Sequence, residues 1–411
     1  MMKWKRKKLN EFCEFSNGLW TGKKPPFQTV GVIRNTNFTK DCLLDDSDIV
    51  YLEVEQSQFQ KRKLQYGDII LEKSGGGPKQ PVGRVVIFDK TDGDFSFSNF
   101  TSVIRIKNKD EVDFNFLHRC LFLEYISGAT EKMQSHSTGI RNLKFDEYKE
   151  IEIPLPPLPE QQRIVSILDK AFSAIERSRN NAEQNLKNAK ELFESYLQGI
   201  FENGNWETKK LNEITEVKDG THDSPKYIKE GIPFVTQKNI KPDGFSFGDT
   251  KFITETDHEK FYKRSNVTYG DILISMIGAN RGMAAIVDDK RVFSIKNVGL
   301  IKSSDNINMN YLLYYLKSSV AMKYVLYMSN GGAQEFVGLT ALRSFPIPLP
   351  PLKEQQTIVH QLDALRAETQ KLETVYQKKI ADLEELKKSI LQKAFNGELV
   401  EPTGELKIEK K

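Results

Sequence analysis

Apolar residues follow two different periods along this chain, and the change from one to the other happens twice. The first stretch carries short runs such as Asp68-Ile69-Ile70-Leu71, Arg84-Val85-Val86-Ile87-Phe88 and Ser102-Val103-Ile104-Arg105-Ile106, broken by Gly, Pro, Asn and Asp. Such runs predict short β-strands, with a helix interleaved over 115–125. Beyond Glu160 the spacing becomes helical: Ile164, Leu168, Ala171, Ile175, Ala182, Leu186, Ala189, Phe193, Leu197 and Ile200 form one stripe. The strand-like pattern then restarts with Asp271-Ile272-Leu273-Ile274 and Met283-Ala284-Ala285-Ile286-Val287, followed by a helix over 310–327. A second stripe closes the series: Ile358, Leu362, Leu365, Leu372, Tyr376, Leu383, Leu386 and Ile390.

The landmarks between these patterns are written twice as well. Trp4-Lys5-Arg6-Lys7-Lys8-Leu9-Asn10-Glu11 with Gly18 returns as Trp206-Glu207-Thr208-Lys209-Lys210-Leu211-Asn212-Glu213 with Gly220, an offset of 202 residues. Tyr66-Gly67-Asp68-Ile69-Ile70 returns as Tyr269-Gly270-Asp271-Ile272-Leu273, and Pro154-Leu155-Pro156-Pro157-Leu158-Pro159-Glu160-Gln161-Gln162 as Pro348-Leu349-Pro350-Pro351-Leu352-Lys353-Glu354-Gln355-Gln356. By the last landmark the offset is 194, so insertions and deletions fall inside the strand-rich parts while the order is kept. A repeat of this length sets the whole architecture.

Each proline strut leaves its domain stiffly, because proline fixes φ and makes the residue before it extended. Helix starts after the strut, where Glu160 and Glu354 place negative charge beside unpaired amides. The pairing residues expected on the two helices are Ile164, Leu168, Ile175, Leu186, Phe193 and Leu197 against Ile358, Leu362, Leu365, Leu372, Leu383, Leu386 and Ile390. The alternative is that each helix covers only its own domain. The predicted fold is α+β: two pseudo-symmetric globular α/β domains joined by two long antiparallel helices forming an intramolecular coiled coil. The expected boundaries are 1–153 and 204–347 for the globular domains, 154–203 and 348–397 for the struts with their helices, and 398–411 for a tail. From Glu160 to Phe201 is 42 residues, about 63 Å of helix, against about 34 Å for one turn of B-DNA.

Composition narrows the function classes. The net charge is +4, distributed as +2, −1, +3 and 0 over 1–153, 154–203, 204–347 and 348–411, so the small excess lies in the globular parts. The three cysteines, Cys13, Cys42 and Cys120, form no Cys-x-x-Cys pair, which argues against a disulfide framework or zinc site. No apolar run is long enough to span a bilayer, and the basic start lacks the apolar stretch of a secretory signal, so a cytoplasmic protein without membrane partner is expected.

The doubled Pro-Leu-Pro-Pro-Leu-x-Glu-Gln-Gln segment, Trp206 to Gly220 running into Thr221-His222-Asp223-Ser224-Pro225, Gly231-Ile232-Pro233-Phe234-Val235 and Tyr269-Gly270-Asp271-Ile272-Leu273-Ile274 together resemble the specificity (S) subunit of type I restriction-modification systems. The first half departs from that pattern with Leu19-Trp20-Thr21-Gly22-Lys23 in place of Thr221-His222-Asp223. The resemblance implies target-recognition domains that each read one half of an interrupted site in double-stranded DNA. It implies helices that bind two modification (methyltransferase) subunits, to which restriction (motor-nuclease) subunits are added. It also implies no catalysis by the chain itself and no cofactor.

Base readout in the major groove uses Arg or Lys toward guanine and Asn or Gln toward adenine. Candidates are Lys73, Ser74, Lys79, Gln80 and Arg84 on the Gly-rich stretch after Tyr66-Gly67-Asp68, and Asn280 and Arg281 on its counterpart. His136, Arg141, Asn142 and Gln334 precede the struts, and Lys23, Lys24, His222, Lys226, Gln237, Lys238 and Asn239 complete the set, the lysines facing phosphates rather than bases. An ordinary hairpin or plain surface exposure is the competing explanation at each. No Gly-Lys-Ser/Thr completes a phosphate loop, and Lys24-Pro25-Pro26-Phe27 has Lys where the adenine-methylation motif Asn-Pro-Pro-Tyr/Phe needs Asn. Glu207-Thr208-Lys209 and Glu385-Leu386-Lys387 have nuclease-like spacing without a partner Asp, and the five histidines show no pairing for metal or acid-base work. Two other readings stay open: a coiled-coil scaffold whose globular ends bind protein or RNA, and an enzyme with an unrecognised site.

Overall fold

The computed structural model describes residues 4–19, 22–77, 80–137, 140–328 and 336–399. The chain divides into two compact units, Met1–Ala182 with Lys378–Lys411, and Glu183–Gln377. Two long helices, Leu158–Asn203 and Leu352–Phe395, each supply one end to each unit.

In the first unit a four-stranded antiparallel sheet runs in the order Cys13–Asn17, Thr101–Ile106, Ile69–Glu72, Val85–Ile87. The central strand is buried along its length, which is why Ile69-Ile70-Leu71 reads as an unbroken apolar run rather than an alternating one. A second sheet joins Val50–Glu55, Phe27–Ile33 and Phe95–Phe97. The second unit repeats the plan with Val217–Asp219, Val298–Ile301, Ile272–Ser275, Ala284–Ile286 and then Lys251–Ile253, Ile232–Val235, Ser294–Ile295.

Each repeated landmark has a structural task. The entry segment pairs with the strut, Arg6–Lys8 on Glu152–Pro154 and Thr208–Lys210 on Pro346–Pro348, in equivalent antiparallel register. Leu9 and Leu211 are fully buried beneath this ribbon, and Glu11 and Glu213 accept from the backbone N–H groups of Lys8 and Lys210. Gly18 and Gly220 lie so close to the backbone of Ser98 and Ile295 that a side chain has no room. In Tyr-Gly-Asp, Gly67 and Gly270 take left-handed φ of 86° and 87°, a conformation that favours glycine. The following aspartates are buried and pair with a cation on the next strand or just beyond it, Asp68 with Arg105 at 2.6 Å and Asp271 with Lys302 at 2.6 Å.

The first glutamine of Glu-Gln-Gln fastens each long helix to its domain. Gln161 Nε2 donates to the carbonyls of Pro156 and Glu111, both at 2.8 Å, while its Oε1 accepts from Asp113 N–H at 2.9 Å. Gln355 donates to Pro350 and accepts from Asn308 N–H, both at 2.8 Å. Asp113 and Asn308 are themselves the N-caps of helices Phe114–Ile126 and Met309–Lys317. Two turns further on, Asp169 pairs with Arg119 at 2.9 Å and Asp363 accepts from the Tyr314 hydroxyl at 2.5 Å.

The long helices pair as well as pack on their domains. Ile164 and Leu168, near the start of the first, share one core with Leu391, Ala394 and Phe395 at the end of the second. Leu197 and Phe201 share another with Ile358, Val359 and Leu362, so within each unit the two run antiparallel. Ile175 is buried, and Leu186, Phe193, Leu365, Leu383 and Ile390 are half-buried along the seam. Leu372 and Leu386 depart from the expected pairing set, standing 39% and 45% exposed. The buried side runs Leu365, Thr369, Glu373 and Tyr376, and two consecutive steps of four carry it past Leu372. Lys387 takes the place expected of Leu386: its ammonium lies over the Phe122 and Phe172 rings, 5.1 and 5.3 Å from their centres, and meets Asp41 at 2.6 Å. Burial opposes the Asp41 charge, yet Lys387 and Arg179 hold its carboxyl below the usual range.

His118 lies wholly inside the first unit, its Nε2 donating to the carbonyls of Cys42 and Val85 at 3.0 and 3.1 Å. Burial, with the neighbouring Arg119 charge, pushes its pKa from 6.5 down to about 4. The unfolded chain therefore takes up this proton first as pH falls, so the stability it supports is complete above pH 6.5 and declines toward pH 4 by about 3 kcal/mol. Urea titrations across that window will show this slope in the native protein and a smaller one in His118→Gln. Gln161→Ala, which strands an N–H and two carbonyls, will lower the stability of the first unit by about 2 to 3 kcal/mol by hydrogen exchange. No change there would remove the amide's structural role.

Candidate nucleic-acid interface

Two polar segments far apart in the first half of the sequence meet in the structure. The Gly-rich stretch contributes strand Ser74–Gly76, the segment before the strut contributes Gln134–Ser137 and Ile140–Leu143, and the three form one small sheet with Ile140–Leu143 in the middle. This junction gathers Lys73, Ser74, Arg141 and Asn142. The Ser74 hydroxyl donates to Asn142 Oδ1, and Lys73 donates to Asn17 Oδ1 at 2.7 Å. Burial pulls the Lys73 pKa down, so its ammonium is poorly hydrated and favours an anionic neighbour. Beside the junction lies a cleft of about 380 Å³ lined by Asn35, Thr36, Gly75, Gly76, Gly77 and the exposed Gln80.

Arg84 lines the floor of that cleft but is spoken for. Only 5% exposed, it donates through Nε and Nη2 to the two Glu72 oxygens at 2.8 Å, through Nη1 to the carbonyl of Phe38 and through Nη2 to that of Asn35. The expectation of a base-reading Arg84 is corrected to a structural one, because the guanidinium is buried and four of its five N–H groups are already bonded inside the fold. Lys23 and Lys24 are exposed beside strand Phe27–Ile33, where Lys24 N–H donates to Glu55, away from the junction. Lys79 and the side chain of His136 lie outside the described residues.

The second unit builds a matching junction, with Ile277 bridged to Phe336. Ser275 Oγ donates to Gln237 Oε1 at 3.2 Å, and Lys238 and Asn280 are exposed. Arg281 is half-buried and donates to Gly278 O at 3.2 Å. His222 is exposed, its ring held between Asn297 and Asp219 at 2.8 and 3.1 Å, and Asp219 is also clamped by Arg264. Lys226 is exposed; Gln334 lies outside the described residues. Asn239 is the second correction: 2% exposed, it donates to Ser246 O, Gly248 O and Thr250 Oγ1 and accepts from Thr236 N–H, which closes a turn rather than facing a groove.

Sequence reasoning missed the first-half partners of Gln237 and Lys238. Asn37 is buried and bonded as Asn239 is, so the turns Asn35–Asn37 and Gln237–Asn239 are equivalent, and Asn35 and Thr36 hold the corresponding outward positions. The offset of 202 that matches the entry segments also joins Asn37 to Asn239 and would have found them. Among the described residues no group of three or more His, Cys, Asp and Glu is placed to hold a metal ion, and no helix is long and apolar enough to cross a membrane.

Comparison with known proteins also finds the chain doubled. The family described as type I restriction modification DNA specificity domain matches residues 1–184 and again 203–383. The type I restriction enzyme EcoKI specificity subunit of Escherichia coli K12 is 24% identical, with 86% of this chain and 79% of that protein covered. Among solved structures, a chain of a type I R-M system superposes with a TM-score of 0.78 at 20% identity, covering 97% and 99% of the two chains. The HsdS subunit of Thermoanaerobacter tengcongensis gives 0.64 at 20% identity, covering 97% and 98%.

Arg84→Ala will destabilise the first unit by about 3 to 5 kcal/mol in chemical denaturation, because Glu72 is left as a lone buried charge. Lys24→Ala will leave stability within about 0.5 kcal/mol of the parent. Equal stabilities for the two variants would return Arg84 to the candidate interface.

Proposed function

Because the chain belongs to the type I restriction modification DNA specificity family, we propose that each globular domain reads one half of an interrupted, asymmetric site in double-stranded DNA and that the chain does no chemistry itself. The paired helices set the gap between the half-sites and offer equivalent surfaces to two modification (methyltransferase) subunits, through which restriction (motor-nuclease) subunits join.

One observation carries this reading. The parts that repeat belong to the frame: the entry ribbon on the strut, the glutamine that fastens helix to domain, and the Tyr-Gly-Asp turn. The parts that differ are the side chains at the two junctions, where Lys73, Ser74 and Asn142 on one side answer to Met276, Ile277 and Phe336 on the other. A repeated frame with unlike surfaces suits a protein that offers two copies of one partner the same footing while distinguishing two different base sequences. Asn35, Ser74, Gln80, Arg141 and Asn142, with Gln237, Lys238, Asn280 and Arg281, are the candidate base contacts. Lys23, Lys24 and Lys226 are candidate phosphate contacts, which position without specifying.

Methylome sequencing of cells producing the chain with its partner methyltransferase will yield one interrupted motif, and exchanging residues 1–153 for a relative's will change only one half of it. Methylation indifferent to the chain would sink the reading, and a change in both halves would sink independent recognition. Adding one helical turn to both long helices will lengthen the gap; an unchanged gap would rule out their role as a spacer.

A further inference from the structure

The two junctions share a backbone and oppose each other in chemistry. Leu143 N–H donates to Lys73 O in the first unit, and Val337 N–H donates to Met276 O in the second, both at 2.8 Å. One residue earlier on the strut side, Asn142 stands opposite Ser74, and Phe336 stands opposite Ile277. Asn142 and Phe336 are therefore the same position in two copies of one frame. Residues directly opposed on antiparallel strands project to the same face, so each forms a side-chain pair with its neighbour. Ser74 and Asn142 make a polar pair joined by a hydrogen bond, whereas Ile277 and Phe336 make an apolar one.

Neither residue is needed to fill a core. That task falls to the next position, where Leu143 and Val337 are 7% and 3% exposed. Asn142 is half-buried with its amide held by Ser74, while Phe336 keeps 46% of its surface open opposite Ile277, which leads straight into the turn Gly278–Asn280 with its exposed Asn280. An exposed phenyl ring on a polar rim is matched by an apolar feature of a ligand, and the major groove offers one on each thymine, the C5 methyl. An oriented amide is matched by the N6 and N7 edge of adenine.

Resting on the reading that each domain reads one half of a DNA site, we propose that Asn142 and Phe336 are matched specificity-determining positions. Asn142 contacts an adenine by hydrogen bonds, and Phe336 contacts the methyl group of a thymine in the other half. One backbone position thus discriminates by hydrogen bonding in the first domain and by apolar contact in the second.

The test uses the chain assembled with its methyltransferase partner. Methylome sequencing of the parent, Asn142→Ala and Phe336→Ala comes first. If the parent gives no interrupted motif, the underlying reading fails. If it does, Asn142→Ala is expected to relax an adenine in one half, and Phe336→Ala a thymine in the other, each with about a tenfold loss of preference. Phe336→Leu, which keeps an apolar contact, will retain the thymine. Oligonucleotide binding supplies a reading independent of folding in the cell. Replacing that thymine by deoxyuridine, which lacks only the methyl, will weaken the parent complex about fivefold and leave Phe336→Ala unchanged. Alanine variants that methylate with the full motif preference, or a parent complex indifferent to deoxyuridine, would overturn the proposal while leaving two-part recognition intact.

Discussion

The buried amide of Gln161, repeated at Gln355, is the contact on which the rest depends. A long helix projecting from a β-rich domain has no direction of its own. It gains one only if its first turn is fixed to groups that already belong to the domain. Glutamine does this with both ends of one side chain, donating to the strut carbonyl behind it and accepting from the N-cap amide of the short helix beside it. Inside a protein such a network holds only when complete, because each stranded donor or acceptor costs about as much as a hydrogen bond is worth. Asp169 and Asp363 then tie the same short helix to the long one two turns later, so the angle between them is set at two points.

With direction fixed twice in the same manner, the surface near each junction can vary without disturbing the frame. The buried ion pairs follow this division. Asp68 with Arg105 and Asp271 with Lys302 recur at equivalent places with different cations. Arg84 with Glu72 belongs to the first domain and closes the floor of its cleft. Charge thus serves mainly to lock turns beneath the candidate surface, and the groups left outside are largely amides, hydroxyls and a few lysines.

The frame was legible in the sequence because its contacts are local or repeated. Proline struts, the glutamine motif and the helical stripes each impose a spacing that physical reasoning recovers. The candidate surface was less legible, because the same residue types serve both readout and turn closure. Nothing in the sequence around Arg84 or Asn239 distinguishes a guanidinium or amide facing a groove from one satisfied by buried carbonyls, and only the fold brings Glu72 or Ser246 within reach. Leu372 and Leu386 misled for a related reason: a periodic stripe assumes an even winding, and here it shifts by one position and then accepts a lysine whose charge Asp41 neutralises. Phe336 went unnoticed because an aromatic residue beside an apolar run reads as core until its exposure is known.

The core of the first unit has a consequence for the order of events during synthesis. Phe116 meets Phe395 edge to face with ring centres 5.4 Å apart, and Leu391 and Ala394 are buried in the same cluster as residues from the opening strand and helix. A ribosome therefore releases most of the first domain long before it releases the residues that complete it. Until then Ile164 and Leu168 lack the cover that Leu391, Ala394 and Phe395 give them in the finished fold.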